Sequence, residues 1–152
     1  MISVPYDDSG DWRKNTLRKA GVWLSWLREN HGPAWFVDAD TRMIRYPNPP
    51  NSDFGAVPTG EKENPIFCSP FWFGMGAEEF LSDWTKRSEQ DTNPKRHADH
   101  GYLTEAVHAL NPSYTSLPPE YCHYDKVRSD TVMFVRISRS ASKAAFYRAR
   151  SR

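Results

Sequence analysis

The chain has 152 residues, of which 38% are hydrophobic, 14% aromatic and 26% charged, and its formal net charge is +1. This length suggests one domain with a real core, and the composition excludes an intrinsically disordered chain. The small net charge also excludes binding to a polyanion through the charge of the whole chain alone.

The first predicted element is a helix over residues 11–30. Its buried stripe recurs every three or four residues, at Trp12, Thr16, Ala20, Trp23 and Leu27. Asp11 stands where a carboxylate favours the positive end of a helix, and Gly32-Pro33 is a helix-ending pair. The sequence therefore predicts a long amphipathic helix that ends just before an apolar segment.

That apolar segment, residues 34–37, reads Ala-Trp-Phe-Val and predicts a short buried strand. It runs directly into Asp38-Ala39-Asp40. In open α/β sheets, ligands bind outside the carboxyl ends of the strands. Asp38 and Asp40 are therefore candidate functional residues.

The rest of the chain alternates between irregular and regular segments. Residues 46–65 are rich in Pro, Asn, Gly and charge, which predicts a loop. We expect a strand or strand pair at 66–68 and 71–73, broken at Ser69-Pro70, then helices at 77–88 and 98–110. Further on we expect an extended segment at 117–121, a strand at 131–137 and a frayed helix at 142–150.

Two carboxylates spaced as Asp-x-Asp have a clear chemical use. They can hold a hard divalent cation, Mn²⁺ or Mg²⁺, that bridges the phosphates of a nucleotide diphosphate and neutralises its charge as it leaves. The plainer interpretation is a polar strand end in which one aspartate caps a turn. The motif alone does not choose between these interpretations.

Six ordered segments together resemble the nucleotide-diphospho-sugar transferases of the GT-A fold, particularly short phage and bacterial members. They lie at residues 10–19 (Gly-Asp-Trp-Arg-Lys-Asn-Thr with Lys19), 35–40 (Trp-Phe-Val-Asp-Ala-Asp), 71–84 (Phe-Trp-Phe, then Phe-Leu and Trp), 99–103 (Asp-His with Leu103), 117–121 (Leu-Pro-Pro-Glu-Tyr) and 138–139 (Ser-Arg). Together they span about residues 9–140.

The resemblance implies a role for each matching residue. It places a metal and the sugar-nucleotide at Asp38 and Asp40, and it implies that Asp99 faces the sugar or acceptor and is the candidate catalytic base of an inverting reaction. A retaining reaction remains equally open. The remaining nucleotide-sugar contacts that it implies are Arg13, Asn15, Lys19, Ser138 and Arg139. For Arg13 and Lys19 a solvated helix face, and for Asp99 a helix N-terminal acid, are the plainer interpretations.

The expected fold class is α/β, a GT-A-like, Rossmann-related mixed sheet flanked by helices. Residues 1–140 would form a partial GT-A-like domain whose first βαβ unit is missing, and residues 141–152 a basic tail. Two departures accompany this expectation: the family's Asp-Gln pair reads Asp99-His100, and its late histidine corresponds to Phe134 or a neighbour.

The predicted function is therefore transfer of a sugar from a nucleotide-diphosphate sugar to an acceptor hydroxyl on a glycan, nucleobase or protein. The alternative is a catalytically inactive, truncated GT-A-like binding or structural protein. A third class is a nucleic-acid binder, because residues 126–152 carry eight Lys or Arg and one acid. No apolar run is long enough to span a bilayer. The two cysteines lie outside any zinc-type spacing, so we expect no structural zinc, and with reduced thiols as the default we expect a cytoplasmic protein.

Overall fold

The structure is a computed structural model that describes residues 9–38, 41–59, 66–92, 98–124 and 127–135. Helices α1, α2 and α3 span Trp12–Asn30, Ala77–Glu89 and Ala98–Leu110, and a 3₁₀ turn spans Pro119–Tyr121. Strands β1 to β7 span, in order, Ala34–Phe36, Thr41–Met43, Phe54–Thr59, Ile66–Phe73, Tyr114–Ser116, His123–Tyr124 and Met133–Val135.

Helix α1 begins and ends at residues whose chemistry explains its bounds. The Asp11 side chain accepts hydrogen bonds from the backbone N–H groups of Arg13 and Lys14, which satisfies two donors that have no partner within the helix. At the other end, His31 adopts a left-handed conformation with φ of 51°, and its N–H donates to the Leu27 carbonyl at 2.9 Å. The helix predicted over residues 11–30 is thus confirmed to within one residue.

The main sheet has the strand order β1-β4-β3-β5 and is mixed. Strand β4 pairs antiparallel with β1 and β3, whereas β5 pairs parallel with β3. The register between β3 and β4 shifts after Ala56, opposite Ser69-Pro70, so the predicted break is an irregularity within one continuous strand. The chain is therefore a mixed α/β fold.

All three helices contribute to one aromatic core on a single face of this sheet. At its centre the Trp23 ring lies 5.3 Å from Phe36, 5.5 Å from Phe71 and 5.7 Å from Trp84, centroid to centroid. Each such side chain gains about 1.5–3 kcal/mol from burial, and each ring pair adds about 0.5–1.5 kcal/mol. The predicted α2 stripe is confirmed as part of this core, since its members are all buried: Ala77, Phe80, Leu81 and Trp84.

The opposite face of the sheet carries a smaller cluster. Val57, Leu117 and Cys122 are buried there, with Trp35 and Tyr121 packed against them. The Trp72 and Trp35 rings lie 5.3 Å apart, centroid to centroid, in a tilted arrangement, and the Trp72 indole N–H donates to the Ser52 carbonyl at 3.0 Å. Beyond this face, β2, β7 and β6 form a separate three-stranded sheet in the order β2-β7-β6.

Two sequence predictions are wrong in detail. The loop predicted at 46–65 contains β3, whose Phe54 and Ala56 are fully buried. Pro119–Tyr121 forms a 3₁₀ turn where an extended segment was predicted, because proline is well tolerated in the first turn of a helix. The last predicted strand is described only as Met133–Val135, and the helix predicted at 142–150 lies outside the described residues.

Candidate functional site

The candidate site lies where β1 ends. The backbone N–H of Asp38 donates to the Ser69 hydroxyl of β4 at 3.2 Å, and the Asp38 carbonyl accepts from the Thr41 N–H at 2.8 Å. Ser69 is itself buried. The backbone at Asp38 is therefore held by the neighbouring strand on one side and by the start of β2 on the other.

Helix α1 places a lysine beside Asp38 at the end of β1. The helix and β1 run antiparallel, because Trp26 and Trp23 contact Phe36 while Lys19, one turn earlier, reaches Asp38. The Lys19 ammonium lies 2.8 Å from Asp38 Oδ1. The spacing of four residues puts Lys19 and Trp23 on one helix face, so packing of the tryptophan against the sheet aims the lysine at the strand end.

This ion pair remains open to solvent. The Lys19 side chain is 27% exposed and that of Asp38 is 30% exposed. A carboxylate in this state still offers lone pairs to hydroxyl groups, and an ammonium can orient its three donors toward anionic oxygens. The strand end therefore combines a cation and an anion that a polar, negatively charged molecule can approach.

The other two predicted contacts on α1 lie nearer its start. They precede Lys19 by six and four residues, which is about 9 Å and 6 Å along a helix axis. Arg13 donates to Asp91 Oδ2 through Nε at 3.0 Å and Nη2 at 2.6 Å. The Asn15 Oδ1 accepts from the Ser9 N–H at 3.0 Å and from its hydroxyl at 2.8 Å. Both side chains thus have partners within the protein.

The remaining predicted site residues are only partly within the description. Asp99 is the second residue of α3, and its backbone but not its side chain is described. The predicted site residues that lie outside the described residues are Asp40, Ser138 and Arg139. Their predicted roles stay predictions.

The donor set for a divalent cation is incomplete among the described residues. Nowhere within them do three His, Cys, Asp or Glu side chains come together as a metal-binding group. Asp38 supplies hard oxygen atoms, which suit Mg²⁺ or Mn²⁺, but one of those oxygens already faces the Lys19 ammonium. A cation at this strand end would need further oxygen ligands from Asp40, from a bound diphosphate or from water.

Two surface grooves lie away from the strand end. One, of about 510 Å³, is lined by residues of α2 with Arg28 and Leu110, and the other, of about 600 Å³, runs between α1 and α2. Neither is lined by Lys19 or Asp38. A ligand at Asp38 would therefore bind to an open strand end rather than inside either groove.

Sequence reasoning missed three residues that shape this region. The sequence marks Ser69 only as part of a strand break, although its hydroxyl holds the Asp38 backbone. Asp91 and Tyr102 belong to no sequence motif, although both contribute to the hydrogen bonds around Arg13. The partners lie 31 and 78 residues apart in sequence, so no local spacing could reveal them.

Comparison with known proteins adds no family to this description. No protein-family model matches the chain, and no similar protein was found among curated proteins. Of the three helices in the described ranges, none combines the length and apolar content that crossing a membrane requires.

Proposed function

We propose that this chain is a glycosyltransferase with a GT-A-like fold, which moves a sugar from a nucleotide-diphosphate sugar to an acceptor hydroxyl. The observation that carries the proposal is the partly exposed pair of Lys19 and Asp38 at the carboxyl end of β1. The carboxylate suits the hydroxyl groups of a sugar-nucleotide, and the adjacent ammonium suits the oxygens of its diphosphate.

Each described group has a defined task in this proposal. Asp38 orients the donor, because its backbone is fixed by Ser69 and Thr41 before any ligand arrives. Lys19 stabilises the negative charge that develops on the diphosphate as the sugar leaves. Asp38 and Asp40 would hold Mn²⁺ or Mg²⁺, whose chemistry is to neutralise the same charge.

The acceptor side of the proposal rests on the resemblance. In an inverting reaction Asp99 takes the proton of the acceptor hydroxyl, on a glycan, nucleobase or protein, as that oxygen attacks the sugar. Ser138 and Arg139 would contact the diphosphate, where a guanidinium can bind two oxygens at once. Asn15 and Arg13 would lie on the same helix as Lys19, closer to its start.

The second candidate is a catalytically inactive GT-A-like protein that binds a partner or has a structural role. A specific observation favours it: Arg13 and Lys19, two of the predicted ligand contacts, are already paired with carboxylates of the protein. In that case the pair at the strand end only stabilises the packing of α1 against β1.

A thermal-shift experiment separates the two candidates. The probes are Mn²⁺ with UDP-glucose, UDP-N-acetylglucosamine or GDP-mannose. A ligand present at 100 times its dissociation constant adds about 2.7 kcal/mol to the free energy of unfolding. This corresponds to a rise in Tm of about 5–10 °C for a domain of this size. A transferase shows this rise with at least one probe, and an inactive relative shows none with any.

The control variant distinguishes the site from general electrostatics. Asp38→Asn should abolish the shift. Asp83→Asn changes a carboxylate of similar exposure, 26%, which pairs with Arg87 on α2, and should leave the shift intact. An equal loss in both variants would remove the support that Asp38 gives to the proposal.

A further inference from the structure

Three helices meet at one buried carboxylate outside the candidate site. Asp91 follows the end of α2, and its side chain is only 8% exposed. Its Oδ2 accepts both hydrogen bonds from Arg13 near the start of α1. Its Oδ1 accepts a hydrogen bond of 2.5 Å from the hydroxyl of Tyr102 in α3.

This arrangement uses both oxygens of Asp91 in charge-assisted hydrogen bonds, which are short and directional. Arg13 and Tyr102 contribute geometry as well as energy, because a guanidinium is a rigid planar donor and the tyrosine ring is itself buried. The carboxylate therefore holds α3 in contact with α1 and also sets the position of one helix relative to the other.

The two helices that it joins carry different parts of the proposed machinery. Lys19, which contacts Asp38, is six residues beyond Arg13 in α1. Asp99 precedes Tyr102 by three residues, less than one turn of α3. A change in the separation of these helices would thus change the placement of the donor side relative to the acceptor side.

We infer that Asp91 is a positioning residue of the transfer reaction, and that Tyr102 is the link through which it holds the first turn of α3. This inference rests on the proposed function. Transfer is sensitive to such positioning, because a misplacement of about 1 Å can slow an enzymatic reaction on the order of 10²-fold.

Tyr102→Phe tests the link most cleanly, since it removes one hydroxyl and leaves the pair of Arg13 and Asp91 in place, whereas Asp91→Asn disturbs both partners. The matched control is Tyr114→Phe, which removes a tyrosine hydroxyl that donates to the Ala56 carbonyl at 3.2 Å in the main sheet. Both variants lose one partly or fully buried hydroxyl, but only Tyr102 belongs to α3.

The first readout is amide hydrogen exchange, which does not depend on activity. Tyr102→Phe should increase exchange at residues 98–104 at least about tenfold relative to the rest of the chain, and Tyr114→Phe should not. Equal exchange at 98–104 in the two variants would overturn the inference, because the hydroxyl would then hold nothing in α3.

The second readout is steady-state transfer with the nucleotide sugar that shifts the Tm of the wild-type chain. Tyr102→Phe should lower kcat about 10- to 100-fold while the donor KM changes less than about threefold. A kcat equal to that of Tyr114→Phe would overturn the positioning role. A wild-type chain that neither binds donor nor transfers sugar removes the proposed function, and the positioning role of Asp91 in transfer with it, whatever the exchange data show.

Discussion

Helix α1 carries two ion pairs that differ in kind. Near its start, Arg13 faces Asp91, whose side chain is 8% exposed and whose other oxygen is bonded to Tyr102. Two turns later, Lys19 faces Asp38, and both side chains are more than a quarter exposed. The first pair joins three helices, whereas the second lies at the open end of a strand.

This contrast separates the charged residues of a helix that hold the fold from those that are available to a ligand. A buried carboxylate with partners on both oxygens cannot exchange them without leaving a charge unpaired in a dry environment. A partly exposed pair can, because water or a ligand replaces either partner at little cost. By this criterion the Lys19–Asp38 pair is the one that the proposed donor could engage, and the Arg13 pair supports the helix that carries Lys19.

Breaking the buried pair of Arg13 and Asp91 should destabilise the protein most. Asp91→Ala removes the acceptor of Arg13 and Tyr102, and should reduce the free energy of unfolding by about 3 kcal/mol. For a domain of this size the Tm should fall by about 6–12 °C. Asp83→Ala, which removes an i, i+4 partner of Arg87, should cost less than about 1 kcal/mol. Urea denaturation of both variants measures the contrast, and equal losses would refute it.

A smaller effect on stability but a clear one on binding should follow from Lys19→Met. Exposed pairs contribute about 0.2–1 kcal/mol, so the Tm should change by only a few degrees. Hydrogen bonds to charged groups contribute about 1.5–3 kcal/mol, so affinity for the nucleotide sugar should fall at least about tenfold. Arg28→Met, which removes the exposed pair with Glu78, is the control, and calorimetric titration would show unchanged affinity for it.

The smallest effect concerns the Tyr114 hydroxyl, which belongs to neither ion pair. Burial raises the pKa of the Tyr114 hydroxyl above its ordinary value of about 10, and a hydrogen bond from Ser116 lowers it less. Because the folded state holds this proton more tightly, the stabilisation is full below pH 10 and is lost as the pH rises through the folded-state pKa. Tyr114→Phe should therefore weaken the decline of Tm above pH 10. Parallel declines in both proteins would contradict this assignment.

Much of the helical part of this fold is predictable from local sequence. The bounds of α1, α2 and α3 follow from apolar periodicity and, for α1, from Asp11 and the turn at Gly32-Pro33, all within a few neighbouring residues. Strand β3 is not predictable from its sequence, Phe-Gly-Ala-Val-Pro-Thr, because glycine and proline disfavour strands locally. Pairing with β4 and β5 outweighs that preference.

The candidate site was predictable only where a local pattern marked it. Asp38 follows an apolar strand and could be singled out, and the resemblance added Lys19. Their contact depends on the antiparallel packing of α1 against β1, which the order of helix, tight turn and strand makes natural. The partners of Arg13 could not be foreseen, since Asp91 is 78 residues away and its burial is set by the packing of three helices.

Mn²⁺, used as a paramagnetic probe in the presence of UDP, tests directly whether a donor site lies at the end of β1. Amide signals of residues 36–38 and 41–43 should broaden in the wild-type protein, and this broadening should vanish in Asp38→Asn. Signals near Arg28, about 14 Å from Lys19 along α1, should broaden far less. If broadening instead centres on the acidic start of α2, or is the same in Asp38→Asn, the donor site is not at the end of β1.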